Sequence, residues 1–369
     1  MRNSAYLVKR GISTTLEESA QIRRLIESIR PLDEVAMAAA RERQGQLTKP
    51  PGSLGRLEAL AVQCAGITGQ VRPLVPRKAV VVMAGDHGVT AEGVSAYPSE
   101  VTPQMVLNFL AGGAAINVLT RQAGSRVVVV DVGVASELPL RDGLLIRKVA
   151  PGTRNLAVQP AMTREEAVQA IRVGIDTVEA EVAKGLDLVA TGEMGIGNTT
   201  PSSAIVAVLT GRPVAEVVGR GTGIDDTGFT RKIQAIERGI QVNRPDPGDP
   251  LDVLAKVGGL EIAGLVGVIL AGAAHRLPVV IDGFISGAAA LVATRLCPEL
   301  LPYLIASHQS VEVGHRVLFQ SLGLRPLLDL EMRLGEGTGA AIAMHLIDDA
   351  LAIQNEMATF AEAGVSEKS

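Results

Sequence analysis

Short, uninterrupted apolar runs recur along most of the chain: Ala79 to Ala84, Val127 to Val132, Leu186 to Ala190, Leu277 to Ile281 and Tyr303 to Ala306. Each is followed by glycine-rich or polar residues and then by a helical pattern. A strand with one wet face alternates apolar and polar residues, whereas a continuous run fits a parallel strand covered on both faces. Helical segments fall between the runs at Pro103 to Gln122, at Thr163 to Ala183 and at Leu260 to Ala274. Thr163 and Glu166 form a capping box at the start of the second. The expected architecture is α/β, a doubly wound parallel sheet. Its core must be aliphatic, because the chain has no Trp, three Tyr and five Phe.

The N-terminal part reads as helical and connective. Thr15 and Glu18 make a capping box ahead of Leu16, Ile22, Leu25, Ile26 and Ile29, which recur at helical spacing. Lys49-Pro50-Pro51-Gly52-Ser53-Leu54-Gly55 holds two prolines and two glycines and is connective. A second helix is expected from Leu54 to Ile67. The greasiest window, Ile262 to Ala274, has thirteen residues, short of the about 20 that a membrane span needs, and reads as a core helix. Met1 to Arg10 is polar with no cleavage-site pattern after it, so a cytoplasmic protein without membrane contact is expected. Net charge is −4, which offers no basic footprint for nucleic acid, and so few aromatics give no base-stacking platform. Cys64 and Cys297 are too few for a disulfide scaffold or a thiolate zinc site and read as reduced core thiols.

The strand ends carry the chemistry. They meet Gly85-Asp86-His87-Gly88, Asp131, Gly192-Glu193-Met194-Gly195-Ile196-Gly197-Asn198, Asp282-Gly283 and Ser307-His308-Gln309-Ser310. In an open parallel sheet these loops share one rim, where ligands bind. GEMGIGNTT, Gly192 to Thr200, has glycines at 195 and 197 that admit a ligand close to the backbone, and its amides and hydroxyls suit an anion. It is not a dinucleotide fingerprint, since position 200 is Thr rather than the third glycine, and no Gly-Lys-Ser/Thr follows to make a P-loop. Gly219-Arg220-Gly221-Thr222-Gly223-Ile224-Asp225, followed by Arg231-Lys232, suits a phosphomonoester, or equally an exposed loop with a solvated basic pair. Asp86-His87 suits a metal pair or an acid–base pair, but the five histidines show no metal-binding spacing and no metal is expected. His308 and His315 share a helix face if both lie on one helix, and His345 reads as a packed histidine of the C-terminal helix. Leu334-Gly335-Glu336-Gly337-Thr338-Gly339 puts a carboxylate between glycines ahead of an apolar helix, Ala340 to Leu351. Desolvation there would raise the Glu336 pKa toward that of a general base, while a helix-start Glu that favours the macrodipole is the plainer reading.

Together, LTKPPGSLGRLE (Leu47 to Glu58), AGDHGVTAEGVSAYPSEVTPQMV (Ala84 to Val106), GEMGIGNTT, GRGTGID and RLGEGTGAA (Arg333 to Ala341) closely resemble one family. That family is the nicotinate-nucleotide–dimethylbenzimidazole phosphoribosyltransferases, which assemble the lower-ligand nucleotide of cobalamin. The resemblance implies transfer of the phosphoribosyl group from nicotinate mononucleotide to 5,6-dimethylbenzimidazole, with inversion at C1′ and no cofactor or metal. It implies Glu336 as general base and Glu193 as a second catalytic carboxylate. Gly195, Gly221, Thr222, Gly223, Lys232, Ser310 and Asp282 become the phosphate and ribose set, with Asp282 ordering one of the loops. Ser95, Tyr97, Gln104, Met194 and Leu334 become the base-binding set. A Rossmann-like sheet domain, 77–337, is expected beside a smaller, mostly helical domain from 1–76 and 338–369, in a homodimer. A nucleotide-dependent oxidoreductase and a non-catalytic nucleotide sensor are the rival readings. The missing third glycine weakens the first and the intact Glu336 the second.

Overall fold

The computed structural model describes residues 19–366. Its sheet contains β1 (Lys78–Gly85), β2 (Ser125–Gly133), β3 (Leu144–Ile146), β4 (Leu188–Met194), β5 (Val279–Ile281) and β6 (Leu304–Ala306). The spatial order is β3-β2-β1-β4-β5-β6 and each neighbouring pair is parallel. Strand order therefore reverses between β1 and β4, the point at which such sheets open a crevice at their carboxyl ends.

β1 is buried along its whole length. Because successive side chains point to opposite faces, Ala79, Val81 and Met83 enter one core while Val80, Val82 and Ala84 enter the other. On the first face the helix Leu260–Ala274 is buried along its length up to Ala273 and packs on the helix Arg164–Val182. Glycines bring these two backbones together. A Cβ on Gly174 would lie 1.9 Å from the Gly264 carbonyl oxygen, and one on Gly267 would lie 1.9 Å from that of Ile171. On the second face Leu60, Met344 and Ile347 cover Val80 and Val82. They come from the helices Arg56–Thr68 and Thr338–Glu356, so both chain ends share this layer. Arg43, on the helix Glu34–Gln46, ties the ends further by donating to the Gln354 carbonyl at 2.6 Å.

The expected parallel α/β sheet is present, with differences at its edges. Pro103 to Gln122 is two helices, Val101–Ala111 and Ala115–Gln122, because Gly112 turns left-handed at φ 76° and ends the first. β4 continues past Ala190 through Glu193 and Met194, so the first residues of GEMGIGNTT are strand rather than loop. β3 was not anticipated. It is three partly buried residues at the sheet edge. The Thr163–Glu166 capping box is formed, whereas Thr15 and Glu18 lie outside the described residues. Ile22 and Ile29 of that segment are buried against the first core. His345 is on the C-terminal helix but exposed, not packed. His315 is on the helix Val313–Leu322, whereas His308 precedes it, so the two share no helix face. Both cysteines are buried free thiols, and burial holds Cys64 up at about 12. Among the described residues no helix is long and apolar enough to cross a membrane.

Candidate active site

A cavity of about 520 Å³ opens at the carboxyl ends of β4, β5 and β6. Tyr97, Val101, Met105, Ile196, Phe284 and Leu334 give it apolar walls, and Glu193, Thr199, Ser310, Glu312 and Glu336 give it polar ones.

Glu336 is the geometric centre of the strained segment. Its backbone is left-handed at φ 62°, a conformation uncommon for a residue with a side chain. Glycines surround it of necessity: a Cβ on Gly335 would sit 2.1 Å from Glu193 Oε1, and one on Gly192 would sit 2.4 Å from the Glu336 carbonyl oxygen. The buried Glu336 carboxylate accepts the Ile116 amide at 3.3 Å, at the start of the helix Ala115–Gln122. Burial raises its pKa and the Asp282 charge adds to this, against the Ile116 hydrogen bond. Glu193 is held by the Asn198 side-chain amide and is pushed up to about 8, first by burial and then by Asp282, Glu261 and Glu336. Asp282 lies behind the cavity wall. It accepts Gly337 N–H at 3.1 Å and Ala340 N–H at 3.0 Å, fixing the Glu336 loop to the helix Thr338–Glu356. Burial raises Asp282 to about 7 against those bonds.

The second constellation surrounds the Gly219–Gly223 loop. Lys232 is fully buried, not a solvated cation. Its ammonium donates to Thr199 Oγ1 at 2.7 Å and to the Gly219 carbonyl at 3.2 Å, and burial lowers its pKa to about 8. Gly221 N–H donates to Glu312 Oε1 at 3.0 Å. Thr222 Oγ1 accepts the Ala96 amide at 2.9 Å and is 3.3 Å from Ser95 Oγ, tying the loop to the segment before Tyr97. Ser310 N–H donates to His315 Nδ1 at 2.9 Å. That bond fixes His315 as a neutral ring, in keeping with a pKa lowered to about 3 by burial and by His308. His308 lines the cavity and burial lowers it to about 4, so it too is neutral.

Of the residues expected at the site, Glu336, Glu193, Gly195, Gly221, Thr222, Ser310, Tyr97, Met194 and Leu334 line this cavity. Lys232 and Asp282 support it from behind. Gly223 turns toward a neighbouring cavity. Ser95 reaches Thr222 rather than the cavity, and Gln104 is exposed. Gln104 precedes Met105 by one residue, a rotation of about 100° around the helix, so Val101 and Met105 face inward instead. Sequence reasoning missed Glu312 and Arg333. Their signals were a carboxylate two residues after Ser310 and the cation that opens RLGEGTGAA.

His87 contributes from the interior. Its Nε2 pairs with Glu261 Oε1 at 2.9 Å. Burial opposes a charged ring, but the Glu261 charge and hydrogen bond outweigh it and raise the pKa. The pair lies behind Gly195, whose Cβ would be 3.1 Å from His87 Nε2. Asp86 spends Oδ2 on the Ala135 amide at 2.8 Å. Among the described residues, no group of three or more His, Cys, Asp and Glu is arranged to hold a metal ion.

The raised carboxylates make stability pH-dependent. Glu193 ionises near 4.5 when unfolded and at about 8 in the fold, so between those values the folded state keeps a proton that the unfolded state has lost. Stability is then greatest below the window and falls as pH rises through it. Urea unfolding across this range should show that decline, and Glu193→Gln should flatten it. A stability that rose through the window in the parent would contradict the assignment.

A family model described as phosphoribosyltransferase matches residues 29–365. A protein of Desulforudis audaxviator (strain MP104C) named nicotinate-nucleotide–dimethylbenzimidazole phosphoribosyltransferase is 62% identical over 346 residues, covering 94% of this chain and 98% of its own. One of the same name from Geobacter sulfurreducens is 59% identical over 342 residues, covering 93% and 97%. The crystal structure of CobT from Thermus thermophilus superposes with a TM-score of 0.88 at 53% identity, covering 90% of this chain and 99% of that one. The chain belongs to the nicotinate-nucleotide–dimethylbenzimidazole phosphoribosyltransferase family, and is thus a pentosyltransferase.

Proposed function

We propose that the enzyme moves the 5-phosphoribosyl group of nicotinate mononucleotide to 5,6-dimethylbenzimidazole with inversion at C1′, giving α-ribazole 5′-phosphate and nicotinate. The observation that carries this reading is the Glu336 carboxylate, desolvated and backbone-anchored in the wall of the cavity. One benzimidazole nitrogen attacks C1′ as the C1′–N bond to nicotinate breaks and its electron pair returns to the ring nitrogen. The proton on the other benzimidazole nitrogen passes to Glu336, whose raised pKa brings it toward the working range of a general base. The departing pyridinium already carries its positive charge on nitrogen, so departure needs neither a strong acid nor a metal.

Charge links the two substrates to the site. With a pKa of about 8, Glu193 holds its proton near neutral pH and can donate a hydrogen bond to a ribose oxygen. A bound pyridinium cation favours the ionised form of Glu336, so the nucleotide itself primes the base. Thr199, Gly221, Thr222 and Ser310, with Lys232 behind them, make the phosphomonoester cradle. Tyr97, Val101, Met105, Met194 and Leu334 supply the apolar walls for benzimidazole. Holding both reactants in line supplies much of the remaining acceleration. In the same reading, residues 1–76 and 338–369 form the smaller helical domain, 77–337 the catalytic one, and the enzyme works as a cytoplasmic homodimer.

Incubation with nicotinate mononucleotide and dimethylbenzimidazole, without added metal, should yield free nicotinate and an α-anomeric ribotide, identified by mass and anomeric proton coupling. A β-anomeric product would remove the inversion. No product with dimethylbenzimidazole, adenine or phenols, while the nucleotide still bound, would favour the sensor reading instead.

A further inference from the structure

Glu312, with Gly221 and Arg333, lines both of two neighbouring cavities. One is the candidate active site, and the other is a cavity of about 420 Å³ lined by Arg220, Phe229, Val311, Val313 and Arg333 together with the Gly219–Gly223 loop. The Glu312 carboxylate sits in the heart of that loop. Oε1 takes the Gly221 N–H at 3.0 Å, and Oε2 is buried without a hydrogen-bond partner against Gly219. A Cβ on Gly219 would come within 1.9 Å of Oε2, so glycine is what admits the carboxylate. Lys232 is close by: a Cβ on Gly221 would be 3.2 Å from its Nζ, and the Glu312 charge acts to hold the ammonium protonated.

A backbone amide has one hydrogen to give. The Gly221 N–H, expected to serve a substrate phosphate, is therefore already given to an internal anion. A phosphomonoester and a carboxylate cannot share that cradle, since like charges at contact distance repel in a partly screened site. We propose that Glu312 is a displaceable stand-in for the substrate phosphate. It occupies the cradle when the site is empty and turns into the second cavity when a phosphomonoester arrives. The arrival side suits a carboxylate. The Arg333 guanidinium is already at the loop, donating to the Gly221 carbonyl at 3.2 Å, and Arg220 lies over the Phe229 ring at 5.3 Å. Both guanidiniums are exposed; Arg220 already pairs with Asp226, which leaves Arg333 as the cation that meets the arriving carboxylate. Glu312 is thus a binding-control residue, and its displacement sets how tightly the nucleotide is held.

This inference rests on the proposed phosphoribosyl transfer, and the test separates the two. Inorganic phosphate and nicotinate mononucleotide are titrated calorimetrically into the parent enzyme and into Glu312→Gln, with KM and kcat measured alongside. Removing the competing charge should tighten both ligands by roughly tenfold and lower KM for the nucleotide more than it alters kcat. A residue that merely braced the loop, or one that held the ribose, would give weaker binding in the variant, and either that or unchanged affinity would overturn the displacement. A structure of the parent enzyme with nicotinate mononucleotide is independent of any variant's folding. It should show the phosphate on the Gly221 amide with Glu312 turned away, and Glu312 still on that amide would refute the idea. If the parent bound neither ligand, the transferase reading would fall as well. If it bound and turned over nucleotide while Glu312→Gln gained nothing, only the displacement would be lost.

Discussion

Glu336→Gln should lower turnover by roughly 10²-fold or more while both substrates still bind. Gln keeps the length and the acceptor that meets the Ile116 amide, so the left-handed turn between Gly335 and Gly337 has no new reason to move. What it loses is the capacity to take the benzimidazole proton. The parent kcat should rise with pH on its acid side as Glu336 ionises, and the variant should lose that limb. Steady-state kinetics across pH, with separate nucleotide binding by calorimetry, provide the check. Near-parental turnover in the variant would end the general-base role, and lost nucleotide binding would recast Glu336 as a binding group.

Asp282→Ala should be the most damaging change that never touches a substrate. It orphans the buried Gly337 and Ala340 amides, and two unsatisfied donors cost about 2–5 kcal/mol together. It also frees the loop that aims Glu336, and a displacement of the order of 1 Å at a reacting group can remove roughly 10²-fold of rate. Loss of the Asp282 charge removes one of the causes holding Glu193 and Glu336 up, so their ionisations should move down. Urea unfolding and the acid limb of residual activity measure the two effects separately. Full stability in Asp282→Ala would mean that the loop finds other partners for its amides.

The sheet was legible because parallel strands buried on both faces leave unbroken apolar runs, as β1 does from Ala79 to Ala84. β3 was not, because three partly buried residues make no such run. The break at Gly112 escaped notice because apolar residues continue through it at helical spacing, and the orientation of Gln104 could be known only once the helix was seen to start at Val101. Glu336 announced itself through the glycines around it. Lys232 had a dual reading until its burial was seen, since a basic pair in the second turn of a helix looks the same solvated or sealed. Glu312 was invisible for a different reason: its meaning lies in a contact with Gly221, 91 residues earlier, and no local pattern records that distance.

The seam at Gly174 and Gly267 ties remote packing to the reaction centre. Where two helices touch through backbone alone, no side chain is available to change rotamer and absorb an error. A single added methyl must shift a whole helix, and the helix that would shift carries Glu261 in its first turn. Glu261 holds His87, which backs Gly195 at the cavity wall. The seam is thus a lever with a short arm inside the core and its far end at the chemistry, so the interior glycines hold the aim of the active site as well as the integrity of the fold.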